Sequence, residues 1–193
     1  MKCIIGLGNP GTRYADTRHN SGAMVLSSLV KHGDSPFQVN RKLKATIGSI
    51  RGANEALLAV PTTYMNNSGE AVRSILQYYK LKPADLWLIY DDIDIEFGRI
   101  RIKPYGSSAG HNGVTSVIEA VGTDDFARFR VGIKLSDEEA KEAQYAKLTT
   151  ARFVLLPFSK EQKKILPSII DETRDAILLA LEKGLPEAMN KYN

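Results

Sequence analysis

Cysteine is almost missing from this chain, since its 193 residues contain one, Cys3. An internal disulfide is therefore excluded, and because Cys3 lies in the apolar run Cys3-Ile4-Ile5, a buried structural thiol is expected rather than a nucleophile. Long hydrophobic runs are missing too. No stretch approaches the roughly 20 apolar residues that span a bilayer, and the opening Met1-Lys2-Cys3-Ile4-Ile5 is too short for the apolar core of a signal peptide. Membrane insertion and secretion are not expected, and the cytoplasm fits best. A G-x-S-x-G elbow is absent, which removes the usual serine-nucleophile arrangement of α/β hydrolases. Internal repeats and low-complexity linkers are also absent.

The remaining composition is that of a globular domain, 43% hydrophobic and 25% charged, and its length suits a single domain over 1–193. A formal net charge of +4 permits a polyanionic partner without requiring one. Short apolar runs at 3–5, 57–60, 86–90 and 131–133 are bounded by turn residues and read as buried strands. Between them Met24, Leu26, Leu29 and Val30, then Val72, Ile75, Leu76 and Tyr79, then Val114, Val117, Ile118 and Val121 recur at helical spacing. Strands alternating with helices predict an α/β fold. Ser159 and Gln162 have capping-box spacing and open a C-terminal helical segment over 159–184, which Pro167 is expected to kink or split. The charged, core-poor stretch 137–150 is expected to be a mobile lid-like segment.

Gly6-Leu7-Gly8-Asn9-Pro10-Gly11 satisfies G-x-G-x-x-G directly after the first strand, so an NAD-binding enzyme is the first hypothesis. The context opposes it: residues 12–20 are polar where a Rossmann helix should begin, and no convincing strand precedes Asp34. The glycines permit a tight turn and close backbone approach, which accounts for them without accounting for Asn9.

Asn9, His19-Asn20, Tyr64-Met65-Asn66-Asn67 and His111-Asn112 each place polar groups beside an apolar element. In an open α/β sheet the loops at the carboxyl ends of the strands share one crevice, where these segments would converge. Helix caps or Asx-turns explain Asn20, Asn67 and Asn112 taken singly, but explain Asn9 and Asn66 less well. Of three histidines, His32 ends a helical pattern beside Gly33 and is expected at the surface, which leaves His19 and His111 for a site. The run Leu86-Trp87-Leu88-Ile89-Tyr90 delivers Asp91 to a strand end, where it would orient a histidine. Asp92, Asp94 and Glu96 would share the other face, as a solvated acidic surface or, less well, a cation site. Arg99, Arg101 and Lys103 alternate with Ile100 and Ile102, and Arg128 and Arg130 flank Phe129; each stripe reads as a solvated sheet face, and together they suggest a phosphate track.

Taken together, the motifs GLGNPGTRYADTRHNSG at 6–22, PTTYMNNSGEAV at 61–72, LIYDDIDIEFGRIRIK at 88–103 and AGHNGVTSVI at 109–118 make the chain resemble the bacterial peptidyl-tRNA hydrolase family. FARFRVGI at 126–133 and FVLLPFSKEQ at 153–162 extend the likeness. The resemblance implies a twisted mixed sheet flanked by helices on both faces, and hydrolysis of the ester between a peptide or N-blocked amino acid and tRNA. It implies neither metal nor organic cofactor. Position by position, it makes His19 the catalytic base and Asp91 the carboxylate that keeps that base effective. Asn9 becomes the sensor of a blocked amino group, Tyr14, Tyr64, Asn66 and Asn112 become substrate contacts, and Met65 becomes part of the wall. His111 joins the substrate-binding set, with Arg101, Lys103 and Arg130 as phosphate contacts. The expected partner is the acceptor end of peptidyl-tRNA with its nascent peptide, bound by a monomer without a membrane. Two stretches depart from the family. Lys103-Pro104-Tyr105-Gly106-Ser107-Ser108-Ala109-Gly110 replaces a glycine-rich run, and a longer acidic segment begins at Lys134. The competing classes are an RNA-binding module without catalysis, which a turnover assay separates, and the nicotinamide enzyme.

Overall fold

The computed structural model describes residues 1–32, 35–52, 55–142, 145 and 148–193. In chain order the elements are β1 Lys2–Gly6, α1 Ser21–His32, β2 Ser35–Asn40, β3 Ala45–Ile50, β4 Ala56–Pro61 and α2 Ser68–Tyr78. Then follow β5 Leu86–Glu96, β6 Ile100–Lys103, α3 Asn112–Val121, β7 Ala127–Lys134, α4 Asp137–Ala140, α5 Thr150–Phe153, α6 Lys160–Lys183 and α7 Leu185–Tyr192.

The seven strands form one mixed sheet in the order β2-β3-β4-β1-β5-β7-β6. Its centre, β4, β1, β5 and β7, is parallel. These are the four continuous apolar runs, as expected of strands covered on both faces. Alternation along β1 sends Ile4 to the layer of α1 and α6, with Leu26, Leu29 and Ile177. Cys3 and Ile5 go to the layer of α2 and α3, with Val72, Ile75, Val114 and Val117. The result is the expected single α/β domain with helices on both faces.

The order of strands also disposes of the nicotinamide reading. Among the described residues no strand precedes Asp34 after α1, and β2, which begins at Ser35, pairs only with β3 at the far edge and never lies beside β1. No mononucleotide-binding βαβ unit forms. The glycines instead allow close packing: a Cβ on Gly6 would lie 2.3 Å from the Gly22 carbonyl oxygen, and one on Gly22 would lie 2.2 Å from that of Ile89. This presses the start of α1 onto β1 and β5, fixing the turn that carries His19.

Three further expectations need correction or qualification. Pro167 does not split α6, which is one helix of 24 residues opened by the predicted Ser159–Gln162 capping box. Its apolar face, including Leu166, Ile169 and Ile177, is buried against the sheet and offsets the lost backbone bond. Arg128 is not on a solvated face but is 1% exposed. Asp91 does not end its strand, because β5 runs five residues further to Glu96. Of the remaining expectations, the His32 side chain and Gly33 lie outside the described residues, as do residues 143, 144, 146 and 147 of the proposed lid, which holds α4 and ends at the first residue of α5.

Candidate active site

Asp91 lies two positions beyond the point where β1 stops, because Gly6 pairs with Ile89. The parity of β5 places Asp91 with Trp87 and Ile89 on the α1 side, where the 3-10 turn Arg18–Asn20 precedes the helix. The Nδ1 of His19 meets Oδ1 of Asp91 at 2.8 Å, and Nε2 of His111 meets the same oxygen at 3.1 Å. The imidazole rings of the two histidines lie 4.8 Å apart, and the phenol ring of Tyr90 packs edge-on to His111 at 4.9 Å.

The tautomers follow from the partners. His111 is the N-cap of α3, and its Nδ1 accepts the main-chain N–H groups of Gly113 and Val114 at 3.1 and 3.2 Å. Its remaining Nε2–H therefore donates to Asp91. His19 donates through Nδ1–H, leaving its Nε2 as a lone-pair base. Asp91 is 2% exposed. Burial alone would raise its pKa, but the electrostatic interaction and hydrogen bond with His111 and the hydrogen bond from His19 outweigh it, holding the carboxyl well below the usual carboxylate range.

His19, Asp91 and His111 have ligand atoms within 4.8 Å of one another and are of types that bind metal ions. Here both imidazoles hydrogen-bond the same oxygen of Asp91, so the three side chains already satisfy one another.

Asn9 is fixed by its neighbours from both directions. Asn20 accepts from the Asn9 main-chain N–H and donates to its carbonyl, both at 2.9 Å. The Asn9 Oδ1 accepts the main-chain N–H of Met65 at 2.8 Å, so its Nδ2 is turned outward and bonds no group among the described residues. Asn20, expected as a cap, is thus a clamp on Asn9. Met65 is buried, and a Cβ on Gly113 would lie 2.4 Å from its sulfur, so the α3 start closes against it. Tyr14 and Tyr64 meet edge to face at 6.3 Å, while Asn66 and Asn112 are exposed at the starts of their helical turns. Residues 108–112, Asp91, Asp92, His19, Thr150 and Val154 line a cleft of about 260 Å³.

Of the basic residues, Arg101 and Lys103 are exposed on β6 while Ile100 and Ile102 are buried, as the alternation predicts. Arg130 is half-buried and donates from Nε to Asp92 at 2.6 Å. Asp92 is thereby committed to an ion pair, which removes it from the proposed acidic face and cation site.

Arg18 was not foreseen. It is fully buried, donates to the carbonyls of Leu156 and Pro157 and to Oε1 of Gln162, and its guanidinium sits 4.5 Å from the Phe153 ring. The main-chain N–H of His19 bonds the Val154 carbonyl at 2.8 Å. The turn carrying His19 is thus stitched to 154–157. The only sequence hint was a cation placed directly before a site histidine, facing an aromatic-rich stretch far along the chain.

A family model described as Peptidyl-tRNA hydrolase matches residues 3–193. A peptidyl-tRNA hydrolase of Gloeobacter violaceus is 39% identical over 100% of this chain and 94% of its own, and one from Aquifex aeolicus is 40% identical over 100% and 96%. The crystal structure of the peptidyl-tRNA hydrolase from Acinetobacter baumannii superposes with a TM-score of 0.87 at 28% identity, covering 100% of this chain and 94% of that one.

Proposed function

Because this chain belongs to the peptidyl-tRNA hydrolase family, and so is an enzyme cleaving the ester between peptide and tRNA, we propose that it does so by direct attack of water activated by His19. The observation that carries this mechanism is the His19–Asp91 hydrogen bond at 2.8 Å, which leaves Nε2 of His19 facing the cleft. Nε2 takes a proton as the water oxygen bonds to the ester carbonyl carbon. The tetrahedral intermediate then collapses, the carbon–oxygen bond to the ribose breaks, and the leaving ribose oxygen receives the proton from His19. Asp91 orients the imidazole and stabilises its protonated form. Asn66 and Asn112 supply carboxamide donors to the developing oxyanion.

Asn9 reads the substrate's amino group. Its outward Nδ2 donates to the carbonyl of a peptide or N-blocking group, whereas a free ammonium ion offers no acceptor and loses hydration on entry. Met65, Tyr14 and Tyr64 wall this end, Arg101 and Lys103 face RNA phosphates, and Thr150, the last residue of the lid-like stretch, lines the cleft. None of the helices among the described residues is long and apolar enough to cross a membrane. A substrate made during translation supports a cytoplasmic reading, with the protein taken to act as a monomer.

The test is turnover of N-acetyl-aminoacyl-tRNA by wild type and His19→Ala. Loss of the base is expected to cost on the order of 100- to 10,000-fold with the fold intact. Near-normal turnover by folded His19→Ala would sink the mechanism.

A further inference from the structure

The loops at the carboxyl edge of the sheet follow the order of its strands. Ala45 of β3 pairs with Pro61 at the end of β4 and with Asn40 at the end of β2, so the turn 41–44 projects from the same edge as Asn9 and Asp91. Along that edge lie the 41–44 turn, the loop 62–67 after β4, Asn9 and His19 after β1, then Asp91 on β5 and the basic strands β7 and β6. With RNA on the β6 side and the ester at His19, the acyl chain leaves the other way, past Asn9 and Met65 toward β4 and β3.

The 41–44 turn is fixed there. Leu43 is buried, its N–H donates to Oδ1 of Asn40 at 3.1 Å, and the Lys44 carbonyl accepts the Thr62 N–H at 2.8 Å. The turn thus docks on the loop that carries Tyr64 and Met65, and it leaves Arg41 and Lys42 exposed.

Positive charge goes unanswered on this side. Asp16 and Glu70 are the acids of segments 7–20, 41–44 and 62–70, and each is taken by a lysine, Asp16 by Lys163 at 3.1 Å and Glu70 by Lys44 at 2.5 Å. Arg41 and Lys42 have no ion pair among the described residues, and neither has Arg13, whose guanidinium lies 5.5 Å from the Tyr14 ring. Tyr14 in turn meets Tyr64, which is 56% exposed. Two rings and three cations without a carboxylate suit an extended peptide with acidic side chains. The rings cover its apolar atoms and the cations pair with its acids.

Spacing sets the register. Adjacent strands lie about 4.8 Å apart, so β3 stands about 10 Å from β1, a distance that an extended peptide covers in about three residues. We propose that Arg41 and Lys42, together with Arg13, form a specificity site for the peptide moiety, one that favours acidic side chains two to four residues upstream of the esterified one. The inference rests on the peptidyl-tRNA reading above.

The test uses the full chain and two peptidyl-tRNAs sharing one tRNA, carrying N-acetyl-Glu-Glu-Glu-Ala-Ala or N-acetyl-Gln-Gln-Gln-Ala-Ala, beside N-acetyl-alanyl-tRNA, which ends before the site. At low salt the wild-type kcat/KM is expected to be about 2- to 25-fold higher for the Glu peptide, the worth of one or two exposed ion pairs, and the preference should fade as salt screens them. Arg41→Gln/Lys42→Gln, altered only at exposed positions, should turn over the two peptides equally, and Arg41→Glu/Lys42→Glu should favour the Gln peptide. On N-acetyl-alanyl-tRNA wild type and the Gln variant should be equal. A wild type without the Glu preference, or a preference that survives in both variants, overturns the site. An equal loss by the Gln variant on all three substrates means that the turn holds RNA phosphates, and overturns it too. Normal wild-type turnover of N-acetyl-alanyl-tRNA beside any of these results removes the site alone, whereas no turnover of any substrate removes the hydrolytic reading and the site with it.

Discussion

Nη2 of Arg18 donates to Oε1 of Gln162 at 2.9 Å, joining the turn before α1 to the first turn of α6 across 144 residues of sequence. Gln162 is the hub of this contact. Its Oε1 also accepts the Ser159 main-chain N–H in the capping box, and its Nε2 donates to Glu139 in α4. One amide thus ties the turn that carries His19, the C-terminal helix and α4 together.

Arg18→Met keeps an apolar stem against Phe153 but takes the side-chain donor from the Pro157 carbonyl and one of two donors from both the Leu156 carbonyl and the Gln162 amide oxygen. Losing these bonds is expected to cost about 2–4 kcal/mol of stability. Activity per folded molecule should fall as well, since the same turn holds His19. Urea unfolding beside turnover checks both, and a variant unchanged in either would deny the turn its dependence on Arg18.

Asp91 gives the acid limit of the fold. Its carboxyl is held below the ordinary value of 3.8, so the unfolded chain takes up this proton more readily than the native protein. The stability it contributes is fully present above the unfolded value and is lost as pH falls through about 4 toward the lower folded value. Asp91→Asn has no such proton to bind. Its stability deficit against wild type should therefore be largest near neutrality and shrink as pH drops through about 4, and a deficit constant over that range would contradict the depressed carboxyl. Turnover by Asp91→Asn should fall roughly 10- to 1,000-fold, because a neutral amide no longer stabilises protonated His19.

Asn9→Asp keeps an oxygen for the Met65 N–H but turns the outward donor into a charged acceptor. It should repel a peptide carbonyl and welcome a free ammonium ion. The ratio of kcat/KM for N-acetyl-aminoacyl-tRNA to that for unblocked aminoacyl-tRNA should fall about 5- to 150-fold, the worth of one discriminating hydrogen bond. An unchanged ratio would mean that another group senses the amine.

What the sequence made legible follows from what burial does to it. The four central strands are apolar on both faces and stood out as continuous runs. By contrast β2, with Pro36 and Gln38, and β3, with Gly48 and Ser49, form a mixed edge whose pattern resembles loop. His19 and His111 were found because their type and loop positions carry chemistry, and Asp91 because an apolar run delivers it to the point where the neighbouring β1 has stopped. Their shared oxygen was not, since it depends on His111 capping α3. Arg18 and Arg128 were misjudged or missed for one reason: long cations default to solvent in any pattern reading, and only the aromatic and carbonyl surroundings, supplied by distant segments, reveal them as buried.

Cys3 provides the last test, and it bears on mechanism as well as packing. The thiol is fully buried between α2, α3 and the sheet, and burial, with a smaller contribution from Asp85, pushes its pKa up to about 12. Thiolate is therefore scarce near neutrality and no reagent reaches the sulfur without opening the core. Native protein should resist alkylation by iodoacetamide, and labelling should follow the rate of global unfolding in denaturant, since β1 lies at the centre of the sheet. Cys3→Ala should retain full turnover per folded molecule while losing about 1–2 kcal/mol of stability to the space left behind. Prompt alkylation of the native enzyme, accompanied by loss of activity, would place a reactive thiol near the substrate and overturn attack by water.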